Sequence, residues 1–162
     1  MKIFFKLAGS YSFGLWLPAL LLFAVQEIPY MLMPLIKPDP NPIMNLPEHF
    51  KPLAAAEGVL GSLCIALMLL VVRNGSSTFA VGQGAQRVFF FLACGVLVLN
   101  FIGWGIYFSG TRTAAVMLVF IVAMPPLYYL FIGLWRRNYP LAAVAAVFLC
   151  VHLAHVSLNL KK

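Results

Sequence analysis

The stretch VFFFLACGVLVLNFIGWGIYFSGT, residues 88–111, holds 24 consecutive residues without a charged side chain. An α-helix rises about 1.5 Å per residue, so about 20 apolar residues are enough to cross a hydrocarbon core about 30 Å thick. This stretch is therefore long enough and apolar enough to form one membrane-spanning helix. Four other windows share these properties, and they are predicted to form helices over residues 7–30, 52–72, 113–135 and 139–160.

The composition of the whole chain agrees with this interpretation. Hydrophobic residues make up 63% of the chain and charged residues 9%, whereas soluble domains contain about 45–50% apolar and about 25% charged residues. Such a chain lacks the polar surface that a water-soluble fold needs. The sequence predicts an all-α fold, an integral membrane bundle of five transmembrane helices in a single domain over residues 1–162. We also expect the first helix to be retained, because no small-residue cleavage site follows it.

The segment 28–51, IPYMLMPLIKPDPNPIMNLPEHFK, contains six prolines among many apolar residues. Proline removes a backbone donor and disfavours helical geometry in the residue before it. The apolar residues indicate that the segment packs on the protein rather than hanging free in solvent. We predict an irregular, proline-rich extracytoplasmic cap over the helix ends after helix 1. In the alternative interpretation, residues 28–36 extend helix 1 as a kinked helix.

The basic residues suggest an orientation for the five helices. One side of the membrane would carry six of them and no acid: Lys2, Lys6, Arg73, Arg87, Arg136 and Arg137. The other side would carry five: Lys37, Lys51, Arg112, Lys161 and Lys162. Cytoplasmic loops are enriched in Lys and Arg, and the first helix usually dominates the orientation. We therefore expect a multi-pass protein of the cell membrane with a cytoplasmic N-terminus and an extracytoplasmic C-terminus.

Polar residues collect in one half of this bundle. All four acidic residues and all three histidines lie there, whichever way the protein is inserted: Glu27, Asp39, Glu48, Glu57, His49, His152 and His155. His152, His155 and Asn159 are spaced by three and four residues, which places them on one helix face. The candidate ligand-binding residues are therefore Glu27, Glu57, Asn100, His152, His155 and Asn159.

Ionisable side chains at membrane depth cost several kcal/mol, so they normally face the bundle interior and pair with one another. We therefore predict that Glu57 lies within reach of His152 or His155. Such a group can relay a proton, orient a polar ligand head or ligate a metal, and these three residues are weak candidates for a metal site. These side chains also have a purely structural interpretation. The carboxylates would lie at the membrane interface, and the imidazoles would form hydrogen bonds between helices.

Two features bear on how the helices pack. The pair Pro125-Pro126 lies within the fourth predicted helix and should kink it, which frees carbonyl groups near Ile121 and Val122. Small residues let helix backbones approach closely. Those expected to do so are Gly58, Ser62, Gly95, Gly103 and Gly105.

The sequence leaves three functions open. In the first, the protein binds or helps to move a small amphipathic molecule or ion in a polar pocket on the outer side. In the second, it is an accessory subunit of a larger membrane complex. In the third, it is an intramembrane enzyme that uses a Glu/His acid–base pair on a lipid-like substrate. No phosphate-binding loop, G-x-S-x-G motif or dinucleotide fingerprint occurs, so no cofactor is identified. The expected partner is the lipid bilayer. The sequence does not decide whether the protein also forms a homo-oligomer or joins a larger membrane complex, and nothing in it indicates nucleic-acid binding.

Overall fold

The computed structural model describes residues 2–160 of the chain; Lys161 and Lys162, which the sequence analysis places outside the cytoplasm, lie beyond the described part. Five helices are long and apolar enough to cross a membrane, as predicted: Pro18–Ile36, Lys51–Leu70, Ala85–Phe108, Ala114–Trp135 and Tyr139–Leu160. We label the helical elements α1 (Pro18–Ile36), α2 (Lys51–Leu70), α3 (Ala85–Phe108), α4 (Ala114–Val116), the π segment (Met117–Val122), α5 (Met124–Trp135) and α6 (Tyr139–Leu160).

A small antiparallel sheet accompanies the helices, so the fold prediction is confirmed only in part: the chain is mostly helical, but it is not all-α. Its strands, in spatial order, are β1 (Lys2–Lys6), β2 (Tyr11–Leu15) and β3 (Val71–Arg73). Tyr11 pairs with Arg73, which joins the N-terminal hairpin to the chain that leaves α2. The predicted helix over 7–30 is consequently displaced, and the predicted helix over 52–72 ends two residues early.

The physical reason for this correction lies in three residues of the first window. Gly9 has a φ of +63°, a left-handed conformation that suits a tight turn between β1 and β2. A Cβ atom at Gly14 would lie 2.5 Å from the carbonyl oxygen of Lys2, so the two strands approach closely only because this residue is glycine. Pro18 occupies the first turn of α1, where proline is favoured. An uncharged window alone does not distinguish a hairpin followed by a helix from one long helix.

The bundle has two distinct ends. The start of α1 meets the end of α2, where Trp16 N–H donates to the carbonyl of Leu69 at 3.0 Å. We call this end, with the three strands, the loop 74–84 and residues 136–138, the sheet end. The opposite end carries the segment 37–50 and the end of α6, and we call it the cap end. Since the chain crosses the bundle five times, β1 and the end of α6 lie at opposite ends.

The segment after α1 covers the helix ends at the cap end. Residues 28–36 belong to α1, so the alternative of a longer first helix is correct for them. The remainder, residues 37–50, is irregular apart from short turns. Tyr107 O–H at the end of α3 donates to Asn41 Oδ1 at 2.6 Å, and Ile43 N–H donates to the Tyr107 hydroxyl at 3.3 Å. The cap is therefore fixed on the bundle by polar contacts as well as by apolar packing.

The fourth span contains the irregularity that its prolines predict. It begins at Ala114, passes through the π segment and restarts as α5 with Pro125 in its first turn. Asn100 of α3 donates from Nδ2 to the carbonyl of Phe120 in the π segment at 3.0 Å. A neighbouring helix thus satisfies a carbonyl in the irregular stretch, as the membrane interior requires.

Close helix approach occurs at some of the predicted glycines and not at others. A Cβ atom at Gly103 would collide with Phe120, so α3 and the π segment are in direct contact there. A Cβ atom at Gly58, Gly95 or Gly105 would meet nothing within 4 Å. The closest approach that the sequence analysis did not identify is at Gly133, where a Cβ atom would lie 2.7 Å from the backbone nitrogen of Ala142 in α6.

Candidate functional site

Glu57 of α2 lies between two imidazole rings of α6. Its Oε2 atom is 2.6 Å from His155 Nδ1, which is a hydrogen bond, and its Oε1 atom is 3.2 Å from His152 Nδ1. The second contact has the distance of an ion pair, but it is not aligned as a hydrogen bond. The three side chains are 24% (Glu57), 12% (His155) and 15% (His152) exposed. The predicted contact between Glu57 and the histidines is therefore confirmed.

The packing of α2 against α6 sets this geometry. The ring of Phe148 in α6 lies next to Gly61 of α2, at a distance that a Cβ atom there would just contact, 3.4 Å. The same ring stacks on His152, with 5.2 Å between ring centroids and 22° between the planes. His152 is thus held on one side by an aromatic ring and on the other by the carboxylate of Glu57.

A cavity of about 360 Å³ opens beside this cluster at the cap end. Its volume lies within the usual range for small-molecule sites, about 300–1,000 Å³. The walls come from α1, the cap, α2, the π segment and α6, and most of them are apolar. The lining residues are Tyr30, Ile43, Met44, Leu46, Pro47, Glu48, Glu57, Ile121, Val122, His152, His155, Val156 and Asn159. We call this the main cavity.

Three buried nitrogen atoms of residues that line the main cavity have no hydrogen-bond partner among residues 2–160: His152 Nδ1, His155 Nε2 and Asn159 Nδ2. The first lies at ion-pair distance from Glu57, so His155 Nε2 and Asn159 Nδ2 are the two without any polar partner in that part of the chain. The Oδ1 atom of Asn159 accepts a hydrogen bond from His49 N–H at 3.2 Å, so this side chain is fixed by the cap while its amide nitrogen stays unpartnered. A buried polar atom without a partner costs about 1–3 kcal/mol, so such atoms call for an explanation.

A second, smaller cavity of about 190 Å³ adjoins the first. Tyr30 and His152 line both cavities, so they form the partition between them. Glu27 lines only the smaller one. Tyr129 O–H donates there to Gln26 Oε1 at 2.8 Å, and Gln26 is only 2% exposed. Glu27 therefore belongs to a neighbouring compartment rather than to the Glu57 cluster.

The remaining sequence candidate, Asn100, is not among the residues that line either cavity. Its side chain is buried and donates to the carbonyl of Phe120, behind the cavity wall formed by the π segment. The structure thus brings Glu57, His152, His155 and Asn159 together, places Glu27 next to them, and gives Asn100 a supporting position.

Sequence reasoning missed several lining residues. Tyr30 follows Glu27 by three residues on the same helix face, and that spacing alone is the signal that would have found it. Gln26 is a polar residue at membrane depth beside Glu27, which is a similar signal. Ile121 and Val122 line the main cavity only because the π segment turns them toward it, and nothing in their chemistry distinguishes them from other apolar residues.

The weak expectation of a metal site gains no support from the geometry. Among residues 2–160, no group of three or more His, Cys, Asp or Glu side chains is arranged to hold a metal ion. The His155 Nδ1 atom and the Glu57 oxygen are 2.6 Å apart. Two atoms that each lie about 2.0–2.2 Å from one zinc ion in tetrahedral geometry are further apart than that. These two atoms are placed for a hydrogen bond.

No family model matches the chain, and neither a curated protein nor a solved structure is detectably similar to it. The chemistry of the cluster and of the main cavity therefore carries the functional argument.

Proposed function

We propose that the protein binds a small amphipathic molecule in the main cavity, with the polar head of that molecule at His155 and Asn159, next to Glu57. The two unpartnered nitrogen atoms, His155 Nε2 and Asn159 Nδ2, are the observation that carries this proposal. A bound polar head would supply the hydrogen bonds that residues 2–160 leave unmade at these two atoms.

The chemistry of the head follows from these two atoms. The Nδ1 atom of His155 faces the carboxylate of Glu57, and with its hydrogen there, Nε2 is an acceptor. The Nδ2 atom of Asn159 is a donor. A hydroxyl group both donates and accepts, so one hydroxyl can satisfy the two nitrogen atoms. The apolar part of the molecule would lie against Ile121, Val122 and Val156, which also line the cavity.

The same geometry favours a second candidate, an enzyme that uses acid–base chemistry on a lipid-like substrate. A carboxylate that holds Nδ1 of an imidazole orients the ring and leaves Nε2 to exchange a proton with a substrate. His155 has this arrangement with Glu57. A lipid comparison of cells with and without the protein tests the candidate. If the protein is such an enzyme, a lipid precursor should accumulate in cells that lack it. The precursor should disappear when wild-type protein is restored, but not when His155→Leu is expressed.

Binding is tested with straight-chain alcohols from hexanol to dodecanol, added to the purified protein in a mild detergent. We expect the alcohols to raise the thermal transition temperature of wild-type protein, and alkanes of the same length to raise it much less. His155→Leu should abolish the difference between alcohol and alkane, because it removes both the acceptor atom and the contact with Glu57.

The control is His49→Leu. His49 is an exposed histidine of the cap, and only its backbone N–H contacts the site. This variant should respond to the alcohols as the wild type does. An equal response of wild type and His155→Leu would contradict the proposal.

For orientation, we propose that the sheet end faces the cytoplasm and that the main cavity opens on the outer side of the cell membrane. The support is the distribution of charge: the sheet end carries six basic residues and no acid, which is typical of cytoplasmic helix ends.

A further inference from the structure

The sheet end contains a polar cavity of about 260 Å³, far from the main cavity. Three arginines line it: Arg73 from β3, and Arg136 and Arg137, which follow α5. Ser76, Ser77 and Gln86 supply further polar groups. An adjoining cavity of about 340 Å³ shares Arg73, Arg137 and Gln86. We call the first of these the arginine cavity.

No acidic side chain of the described residues balances the positive charge in the arginine cavity. The four acidic residues of the chain, at positions 27, 39, 48 and 57, all lie in the half of the bundle toward the cap end. Within residues 2–160, the ion pairs are those of Glu57 with its two histidines. The guanidinium groups of Arg73 and Arg137 have no hydrogen-bond or ion-pair partner in that part of the chain. Their five N–H donors each are available to a ligand.

Arg136 plays a different role, because it is already engaged. Its guanidinium donates to the carbonyl of Ser77 at 2.8 Å and lies over the ring of Trp16, 4.5 Å from the centroid. Burial lowers the pKa of Arg136 from its ordinary value, but an arginine stays charged at neutral pH. Arg136 is thus a fixed positive charge in the wall of the cavity.

The loop 74–84 that forms the other wall is held in place by the bundle. Trp16 Nε1 donates to the carbonyl of Thr78 at 2.6 Å, and Trp135 Nε1 donates to the carbonyl of Ala80 at 2.9 Å. Together with the bond from Arg136 to Ser77, these contacts fix the loop to the bundle at three of its carbonyls. The cavity is therefore preformed and electropositive.

The backbone of Arg137 closes the end of α5. Its φ is +52°, the left-handed conformation that glycine adopts most readily and that commonly ends a helix. The following residue, Asn138, donates its N–H to the carbonyl of Gly133 at 2.7 Å. A glycine at position 137 would therefore fit this backbone, whereas the arginine present there places its side chain in the lining of the arginine cavity.

We propose that the arginine cavity binds a phosphate group, with Arg73 and Arg137 donating paired N–H groups to its oxygens and Arg136 supplying the fixed charge. Arginine is suited to this task because its planar fork matches the geometry of phosphate oxygens. The phosphate group belongs either to a lipid headgroup or to a soluble phosphorylated molecule, since the cavity lies where the membrane-spanning helices end.

The experiment measures two ligands on the purified full-length chain. In one arm, phosphatidic acid or phosphatidylcholine is added to the protein in mild detergent, and bound lipid is counted by native mass spectrometry. In the other arm, inorganic phosphate is titrated by calorimetry. We expect Arg73→Gln and Arg137→Gln each to weaken binding about tenfold or more, the usual contribution of a charge-assisted hydrogen bond.

The matched control is Arg87→Gln. Arg87 is an exposed arginine of the sheet end that is not among the residues lining either arginine-containing cavity there. It should bind within about twofold of the wild type, because its loss changes the net charge equally but removes no proposed contact. Since binding through charge weakens with salt, both arms are run at one ionic strength.

Variants that lose their fold are distinguished by a further substitution, Arg137→Gly. Glycine fits the backbone conformation at this position, so the variant should keep the wild-type elution profile and thermal transition while still losing phosphate affinity. Binding of phosphatidic acid without binding of inorganic phosphate assigns the site to a lipid headgroup, and binding of inorganic phosphate assigns it to a soluble molecule. Absence of both, or an equal loss in Arg87→Gln and Arg73→Gln, overturns the proposal.

Discussion

At the scale of single residues, burial of the Glu57 carboxylate is unfavourable by itself, and its contacts with two imidazole rings offset this cost. A carboxylate taken into the bundle loses hydration, and this loss is offset only if its oxygens find donors. His155 and His152 each face one oxygen, at 2.6 and 3.2 Å. Substituting one of the three side chains leaves the other two buried with fewer partners. Substitutions at these positions should therefore have non-additive effects on the free energy of unfolding.

A double-mutant cycle with Glu57→Gln and His155→Ala measures this coupling. We expect each single substitution to lower the free energy of unfolding by about 1–3 kcal/mol. The double variant should lose less than the sum, with a coupling energy of about 0.5–3 kcal/mol. Unfolding in mixed micelles, followed by circular dichroism, provides the free energies.

The comparison cycle uses Glu48→Gln with His155→Ala. Glu48 is an exposed carboxylate of the cap that lines the same cavity, and no contact joins it to His155. Its effects should be additive with those of His155→Ala. Additive effects in the Glu57 cycle as well would contradict the idea of a coupled cluster.

At the scale of elements, close packing of the second half of the chain supports the site. The π segment contributes two apolar residues to the main cavity. It is held by Asn100 of α3 on one side and by the contact at Gly103 on the other. Further along, α5 and α6 touch through their backbones at Gly133. The position of α6, which carries both histidines, therefore depends on contacts remote from the cavity.

The pair of variants Gly133→Ala and Gly95→Ala tests this dependence. At Gly133 the added methyl group would lie 2.7 Å from the backbone nitrogen of Ala142, so the helices must separate. We expect Gly133→Ala to lower the free energy of unfolding by about 1–3 kcal/mol, the usual cost of overpacking.

At Gly95 the same methyl group meets nothing within 4 Å. Since alanine is the better helix former by about 1 kcal/mol, Gly95→Ala should be neutral or stabilising. Thermal unfolding of the two variants in one detergent compares them directly. An equal loss of stability in both would show that close packing at Gly133 is not what holds α5 and α6 together.

At the scale of the whole molecule, the two ends differ in charge and in construction. The sheet end is basic, contains the hairpin and loop 74–84, and holds the arginine cavity. The cap end carries the acidic residues and the irregular segment 37–50 over the main cavity. Such an asymmetric protein should insert in one orientation, because basic residues next to helix ends resist translocation.

Cysteine labelling in whole cells tests the orientation. The native Cys94 and Cys150 are exposed on the bundle, so they are first replaced by alanine. A membrane-impermeant maleimide should then modify Asn45→Cys in the cap, whose side chain is exposed. It should modify Gln83→Cys in the loop at the sheet end only after the cells are permeabilised. The reverse pattern would show that the protein is inserted the other way round.

The sequence by itself determined the number of helices that are long and apolar enough to span a membrane, and the contact of Glu57 with α6. Both follow from local costs: a long uncharged window lowers its free energy in lipid, and helix direction converts residue number into depth. Glu57 and His155 lie at the same depth, and a charged group at that depth has few partners to choose from.

Only the tertiary structure decided which helix faces meet. Rotation about a helix axis is set by packing, so depth alone did not show that Asn100 supports the π segment rather than lining the cavity. The hairpin of residues 2–15 was missed for a related reason: an uncharged window reports hydrophobicity but not backbone conformation, and strand pairing with β3 depends on a contact across about 60 residues. The cavities themselves are spaces between elements, so they exist only once the elements have been assembled.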